Sequence, residues 1–282
     1  MWVRVVKNPA FRTRPVIKWA GGKRQLILQY SKYFPDKFAV YHEPFLGGGA
    51  VFFHLAPRVA YLSDANEELI NMYRVLQSKV ELLIEDLSRH RNEKEYFYHV
   101  RDMDVGALSD VERASRLIYL NKTCYNGLYR VNSKGKFNVP FGGYKNPRIV
   151  DREALVSASR ALQGAVIQRS GFEVVLENAG PGDFVYFDPP YNPVSNTAYF
   201  TSYTEQSFSI RDQERLAGVF DELARRGCKV MLSNSDTPFI RSLFEKYSRG
   251  IIPIMARRSI NSKGDGRGPV GEIIVCSWLK QA

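Results

Sequence analysis

The stretch DFVYFDPPY, residues 183–191, ends an apolar run with a carboxylate, two prolines and a tyrosine. Residues 184–187 are predicted to form a fully buried strand, which the proline pair must end because proline cannot donate hydrogen bonds to a sheet. A carboxylate at such a rigid corner can accept hydrogen bonds from an amine, and Tyr191 can stack on a ring. An ordinary turn in which Asp188 accepts hydrogen bonds from backbone amides is the alternative.

The stretch HEPFLGGGAVFF, residues 42–53, places three glycines between a predicted strand and a helix. Glycine lets the backbone approach a ligand closely, and the helix-start amides at residues 48–50 could hold an anion. The third glycine of a dinucleotide fingerprint would fall at Phe52, which disfavours a dinucleotide and favours a smaller cofactor with a carboxylate. A tight strand-to-helix turn is the alternative.

Two further stretches contain candidate ligand contacts, and the first of them points to a nucleoside-containing cofactor. Asp64 ends the next predicted strand, where a carboxylate can accept hydrogen bonds from ribose hydroxyls, although Asp64 or Asn66 could instead cap a helix. Trp19 and Lys23 flank a glycine pair before a predicted helix. Because the P-loop spacing is absent around Lys23, an ATPase is disfavoured.

The formal net charge of +11 is concentrated in two segments. Residues 1–35 and 121–150 contain eight and six Lys/Arg respectively and no acidic residue. Segments that carry only positive charge favour binding to a polyanion such as nucleic acid. The three cysteines and four histidines show no ligand spacing, so we expect neither a metal nor disulfides. No apolar run is long enough for a membrane span or signal peptide, so we expect a cytoplasmic protein without membrane contact.

Strands alternating with helices predict an α/β fold with a parallel, doubly wound sheet. The predicted strands are 38–43, 59–64, 165–169, 184–187 and 229–234, followed by two around 250–256 and 272–279. One predicted helix starts at residue 50, and the others span residues 66–77, 152–163, 209–226 and 238–247. A polar loop at 192–206 and a basic, glycine-rich loop at 257–268 separate the later elements.

A segment without this alternation interrupts the sheet pattern. Residues 79–121 are mostly helical in pattern, and residues 125–147 predict a basic β-hairpin around the turn NSKG. We therefore predict a catalytic domain of residues 1–78 and 151–282 with an inserted recognition domain at 79–150.

Several long motifs in order resemble the DNA adenine methyltransferase (Dam) family. They are KWAGGK, EPFLGGGAVFF, YLSDANEELI, YNGLYRVNSKGKFNVPFG and FDPPY, and VMLSNS resembles a later family segment. The resemblance implies a Rossmann-like, S-adenosylmethionine-dependent methyltransferase sheet with a mostly helical inserted DNA-recognition domain that carries a β-hairpin. It implies transfer of a methyl group to N6 of adenine in duplex DNA, with S-adenosylhomocysteine as product.

The resemblance also implies which residues bind the cofactor and perform the transfer. The cofactor contacts are Trp19, Lys23, Phe45, Gly47, Gly49, Asp64, Phe172 and Asp188, with residues 45–49 at the methionine end. The catalytic corner is Asp188, Pro189, Pro190 and Tyr191: the first two accept hydrogen bonds from the amine of an extruded adenine, and the tyrosine stacks on it. Relatives usually carry an acid before the phenylalanine near the cofactor adenine, where this chain has Gly171.

The hairpin is where we expect the DNA sequence to be recognised. Arginine and asparagine can pair with base edges, so Asn126, Arg130 and Asn132 are candidates, and Lys134, Lys136 and Lys145 suit phosphates. The resemblance adds Leu128, Arg130 and Pro140 as contacts to a GATC site, with Lys18 as a further base contact. Longer sites containing GAT remain open, because relatives with such sites share the hairpin.

Three alternatives from other classes remain at this point. An N4-cytosine or RNA adenine methyltransferase is disfavoured, because the first usually has serine and the second often has asparagine where this chain has Asp188. A non-catalytic DNA-binding protein is disfavoured because it would need neither DPPY nor the glycine loop. A dehydrogenase is disfavoured because Phe52 stands where a dinucleotide fingerprint has its third glycine. The expected partners are double-stranded DNA, through which the protein associates with the nucleoid, and a restriction endonuclease acting on the same site.

Overall fold

The computed structural model describes residues 3–4, 13–192, 208–257 and 269–279, and its centre is a seven-stranded mixed sheet. The spatial order of the strands is β5-β4-β3-β6-β7-β9-β8. The first five are parallel, and β9 and β8 run antiparallel at one edge. The strands are β1 (Val3–Arg4), β2 (Lys37–Phe38), β3 (Tyr41–Glu43), β4 (Ala60–Asp64), β5 (Ala165–Arg169), β6 (Phe184–Phe187), β7 (Lys229–Ser235), β8 (Ile251–Arg257) and β9 (Pro269–Cys276).

Helices connect the parallel strands, as the predicted alternation requires. They are α1 (Ile27–Tyr30), α2 (Ala50–Leu55), α3 (Glu67–Ser78), α4 (Val80–Leu87), α5 (Lys94–Asp102), α6 (Asp110–Thr123), α7 (Arg152–Leu162), α8 (Val175–Asn178), α9 (Ile210–Arg225) and α10 (Pro238–Leu243). Short 3-10 turns lie at Lys23–Gln25, Val105–Ala107, Tyr125–Gly127, Phe172–Val174 and Glu245–Gly250. Ser209 and Asp212 form the predicted capping box at the start of α9.

The central strand β6 is buried on both faces, which confirms the sequence prediction. Phe184 and Tyr186 point into one core, shared with α2, α3 and α7, whereas Val185 and Phe187 point into a second core, shared with α9 and α10. All four side chains are fully buried. A continuous apolar run is typical of such a strand, because both of its faces are covered by helices.

Three predicted elements differ from the structure. The single strand expected at 38–43 is two strands, because β2 leaves the sheet and pairs antiparallel with β1. The helix expected at 238–247 ends at Leu243 and continues as a 3-10 turn. The hairpin forms isolated bridges, Val131 to Phe137 and Cys124 to Phe141, instead of regular strands.

The segment between α3 and α7 contributes to two cores. Leu83, Leu117 and Ile118 pack into the core that α3 shares with the sheet. Phe97, Tyr119 and several neighbours form a separate cluster that extends under the hairpin through Phe137 and Val139. The domain boundaries at 78/79 and 150/151 stay a prediction.

Among the described helices, none is long and apolar enough to span a bilayer. The loops predicted at 192–206 and 257–268 lie almost wholly outside the described residues.

Candidate active site

A cleft of about 830 Å³ opens at the carboxyl ends of β3, β4 and β6. Here the strand order reverses, since β4 and β5 extend to one side of β3 while β6 and β7 extend to the other. Open α/β sheets bind ligands at this switch point. Eleven residues implied by the resemblance line the cleft together: Trp19, Lys23, Phe45, Gly47, Gly49, Asp64, Phe172, Asp188, Pro189, Pro190 and Tyr191.

Asp188 emerges from β6 between two fixed hydrogen-bond donors. Lys23 Nζ lies 2.7 Å from Oδ1 and 2.8 Å from Oδ2, and the Ser233 hydroxyl donates to Oδ1 at 2.7 Å. The Lys23 side chain is only 4% exposed, whereas that of Asp188 is 18% exposed. The carboxylate is therefore held in one orientation with part of its surface open to the cleft.

The residues after Asp188 are anchored by groups that the motif itself does not contain. Gln213 Nε2 donates to the Pro190 carbonyl at 3.0 Å, so this carbonyl already has a hydrogen-bond donor within the protein. The Tyr191 hydroxyl donates to Glu272 at 2.9 Å, and Lys23 Nζ lies 4.7 Å from the centre of the Tyr191 ring. These contacts fix the half-buried ring beside the carboxylate.

The segment VMLSNS supplies a buried support for this corner. Asn234 Oδ1 accepts from the Asn192 amide at 3.1 Å, and the Ser235 hydroxyl donates to the Asn192 carbonyl at 2.7 Å. Asn234 also donates to Gln213 at 3.0 Å. Because these polar groups are buried and satisfied, they specify one geometry for the DPPY turn.

The glycine loop is tied to the end of β4. Asp64 Oδ2 accepts from the Gly47 amide at 3.0 Å, and Oδ1 accepts from the Asn66 amide at 2.9 Å. Asn66, not Asp64, caps α3 through its contact with the Leu69 amide. The Gly49 amide donates to the Leu46 carbonyl, so it is not directed at the cleft.

Gly47 and Gly48 form a matched pair for testing the loop. At Gly47, φ is +47°, and a Cβ would lie 2.8 Å from Trp19 Cδ1. A Cβ at Gly48 would make its nearest contact at 3.4 Å, without left-handed φ. We expect Gly47→Ala to weaken cofactor binding about tenfold, because a strained backbone and a displaced indole together cost on the order of 1–2 kcal/mol.

Isothermal titration calorimetry of both variants measures this effect. Gly48→Ala should bind the cofactor within about twofold of the unsubstituted protein. Equal affinities for the two variants would contradict the role assigned to Trp19 and Gly47.

Glu43 lies buried beneath the glycine loop. It accepts hydrogen bonds from the Tyr41 hydroxyl at 2.9 Å and from the Phe52 amide at 3.1 Å. Burial raises its pKa from 4.5 to about 8, and the charge of Asp188 adds to this shift against the lowering effect of the Tyr41 hydrogen bond. Glu43 is thus protonated near neutral pH.

This raised pKa predicts a pH-dependent stability. Because the folded protein binds the proton more tightly than the unfolded chain, Glu43 costs stability as the pH rises from about 4.5 to about 8. Relative to Glu43→Gln, which does not titrate, the free energy of unfolding should fall by roughly 1.4 kcal/mol per pH unit in that window. Urea unfolding between these limits measures it, and parallel pH profiles would refute the assignment.

Aromatic rings line the other end of the cleft. Phe45 stacks on Phe172 at 5.6 Å, and both contact Phe208. Arg215 lies over the Phe172 ring at 5.5 Å and pairs with Glu173. Phe45 therefore lies beside Phe172, and the placement of residues 45–49 at the methionine end stays a prediction.

The cleft is acidic although the protein is basic. Besides buried Glu43, which is protonated near neutral pH, its lining carboxyl groups are Asp64, Glu173, Asp188, Asp212 and Glu272, and its lining cations are Lys23 and Arg215. An acidic cleft of this kind favours a ligand that carries positive charge. Across the described residues, no group of acids, histidines and cysteines is arranged to hold a metal ion.

The predicted DNA contacts lie beside the cleft, on and around the hairpin. Asn121, which is buried, joins the two regions because its amide group bonds the Lys18 backbone on one side and the Gly127 carbonyl on the other. Trp19 stacks on Tyr129 at 5.0 Å. Thus one residue of the cofactor cleft packs directly on the hairpin.

The hairpin candidates differ in how their side chains are engaged. Asn132 Oδ1 accepts from the amides of Lys134 and Lys136, so this side chain stabilises the turn. Exposed Arg130 donates to Asn138 at 2.7 Å. Asn126 has φ of +57°, a conformation that asparagine tolerates.

The remaining candidates present different amounts of surface. Lys18 and Lys134 are exposed, as is Pro140, while Leu128 is half-buried against the cluster under the hairpin. The base contacts assigned to the six candidates and the phosphate contact assigned to Lys134 stay predictions; the six are Lys18, Asn126, Leu128, Arg130, Asn132 and Pro140.

Sequence analysis missed several residues of this site. Glu272 opens the predicted strand EIIVCSWL, where a charged residue before an apolar run gave no sign of a role, whereas β9 in fact begins at Pro269 and contains it. Glu43 was contained in the EPF motif but had no assigned role. Arg215 and Gln213 reach the cleft from α9, and only the fold brings that helix close.

The cleft at the switch point is where open α/β sheets bind ligands, so the fold and the site together are those of a ligand-binding α/β protein. A family model described as D12 class N6 adenine-specific DNA methyltransferase matches residues 19–260. A type II methyltransferase of Lactococcus lactis subsp. cremoris is 47% identical over 284 residues, covering 98% of this chain and 99% of the relative.

Two further relatives also match most of the chain. A type II methyltransferase of Methanocaldococcus jannaschii is 44% identical, covering 90% of this chain and 95% of the relative. A DNA adenine methylase of Vibrio cholerae is 34% identical, covering 93% and 95%. The chain belongs to the D12 class and is an adenine-specific DNA methyltransferase.

Proposed function

We propose that the protein transfers the methyl group of S-adenosylmethionine to N6 of an extruded adenine in duplex DNA, within GATC. The observation that carries this proposal is the Lys23–Asp188–Ser233 cluster, which aims a fixed carboxylate into the same cleft as the glycine loop. Extrusion is required because the amine of a paired base is inaccessible to a cleft.

The cleft suits this cofactor chemically. Its acidic lining favours the sulfonium and ammonium groups, and the half-buried Asp64 lies where ribose hydroxyls can donate to it. The Phe172 ring, on which Phe45 stacks, offers an apolar surface for the adenine of the cofactor. When bound, the cofactor supplies an electrophilic methyl group.

The DPPY corner would orient the target amine. Asp188 and the Pro189 carbonyl would accept hydrogen bonds from its N–H groups, which would direct the nitrogen lone pair toward the methyl group of the bound cofactor. The methylated amine would then lose one proton to solvent. The carboxylate also stabilises the positive charge that develops on nitrogen. Tyr191, held by Glu272, stacks on the extruded ring. No covalent intermediate with the protein is needed.

Residues 79–150 would act as the recognition domain, with Lys18, Arg130, Leu128 and Pro140 contacting bases of the site. The exposure of Arg130 on the hairpin supports this role, and so does the direct packing of Trp19 on Tyr129. Because two relatives carry type II names, we also propose a partner endonuclease that acts on the same site.

Sequencing methylated plasmid DNA tests the whole proposal. Unmethylated plasmid is incubated with the protein and cofactor, and N6-methyladenine is located together with its flanking bases. We expect the modification at adenines of GATC. Modification confined to longer sites containing GAT would overturn the site assignment, and methylcytosine would overturn the target.

A further inference from the structure

Glu173 lines the aromatic end of the cleft, and none of the steps proposed above uses it. The segment 170–173 follows β5, whose last residue, Arg169, is in register with Asp64 at the end of β4. The Ser170 amide donates to the Asp64 carbonyl at 3.2 Å, so this segment is tied directly beside Asp64. A ribose held by Asp64 would therefore place its base next to residues 170–173.

The carboxylate of Glu173 leans back over a glycine. A Cβ at Gly171 would lie 3.1 Å from Glu173 Oε2, so this oxygen lies beside the space that a side chain at residue 171 would occupy. The family resemblance implies an acid at that position, and this chain has none there. Glu173 brings a carboxylate to the same place from two residues further along the chain.

The two oxygens of Glu173 are engaged differently. Oε1 pairs with Arg215, whose guanidinium lies 5.5 Å from the centre of the Phe172 ring. Among the described residues, none donates a hydrogen bond to Oε2, and the Glu173 side chain is 39% exposed. Arg215 thus holds the carboxylate beside the ring while one acceptor oxygen stays open to a ligand.

Asp212 is the other acid at this end of the cleft, and both of its oxygens are used. Oδ2 accepts from the amide and the hydroxyl of Ser209, which closes the cap of α9, and Oδ1 accepts from Arg215 at 2.7 Å. Glu173 is therefore the better acceptor for a polar group of a ligand that lies against Phe172.

We propose that Glu173 accepts a hydrogen bond from the 6-amine of the cofactor adenine and so selects adenine over purines that lack this amine. The inference rests on the proposed use of S-adenosylmethionine. The Phe172 ring supplies apolar contact that any purine could use, whereas a charged acceptor at the edge of the base supplies the directional contact.

Isothermal titration calorimetry with two ligands tests this proposal. The ligands are S-adenosylhomocysteine and its analogue with hydrogen in place of the 6-amino group. We expect the unsubstituted protein to bind the first about five- to tenfold more tightly, because a hydrogen bond to a charged acceptor favours binding even when it is partly exposed. In Glu173→Ala, the affinity for S-adenosylhomocysteine should fall by about the same factor, and the affinity for the analogue should change by less than about twofold.

Glu177→Ala is the matched control. It removes an exposed acid one turn further along, in α8 and outside the lining of the cleft. This variant should keep the preference of the unsubstituted protein for the amine. An unchanged affinity of Glu173→Ala for the analogue also shows that the variant is folded.

Two outcomes would overturn this inference alone. One is a preference for the amine that Glu173→Ala keeps in full. The other is an equal loss of affinity for both ligands in Glu173→Ala, which would make Glu173 a structural support of Phe172. If the unsubstituted protein binds neither ligand, the proposed cofactor is wrong, and the inference fails with it.

Discussion

Asp188→Asn should lower the methylation rate at saturating cofactor and DNA by about a thousandfold or more. The amide removes the negative charge that stabilises the developing cationic nitrogen, and it offers one acceptor where the carboxylate offers two. It also leaves buried Lys23 without its counter-charge. Single-turnover kinetics with a GATC duplex measures the chemical step, because product release does not then contribute.

DNA affinity should change by less than about threefold in this variant, because Asp188 would contact only the extruded base. Glu222→Gln is the control, since it removes a carboxylate that pairs with Arg225 and Arg226 near the opposite edge of the sheet. Methylation by Asp188→Asn at the unsubstituted rate would refute the catalytic assignment. A protein that keeps DNA binding and loses methylation rules out the binding-only alternative.

Tyr191→Ala should lower kcat/KM for DNA by roughly five- to 150-fold, because base–aromatic stacking contributes about 1–3 kcal/mol. In the structure this ring already lies beside the carboxylate, held between Lys23 and Glu272. A duplex with 2-aminopurine at the target position should show less fluorescence change on binding, because without its stacking partner a smaller fraction of the base is extruded.

Tyr191→Phe separates stacking from positioning. It keeps the ring and loses only the hydrogen bond to Glu272, so kcat/KM should stay within about fivefold. Equal losses for the two variants would show that the hydroxyl, and not the ring, is what the reaction needs.

The elements with local signals were predictable from the sequence. Residues 184–187 are continuously apolar, so the central strand was predicted with its correct bounds. The glycine loop was also predicted at the right place, since a strand, three glycines and a helix follow one another within a dozen residues. Here the necessary information is contained in neighbouring residues.

What the sequence could not predict depends on distant contacts. The split of the expected strand 38–43 depends on β1 pairing with β2, and Glu272 binds Tyr191 across 81 positions of the chain. The two basic segments were visible in the sequence, but only the fold shows that Arg24 and Lys122 share a pocket. The periodicity of apolar residues carries no information on contacts between residues that are far apart in the chain.

A crystal structure with a GATC duplex and S-adenosylhomocysteine tests the central claim most directly. The decisive measurement is the distance from N6 of the target adenine to the Asp188 carboxylate. We predict an extruded adenine stacked on Tyr191, with N6 about 3 Å from the carboxylate and facing the sulfur. A target adenine still stacked in the duplex, or held elsewhere and far from Asp188, would contradict the account.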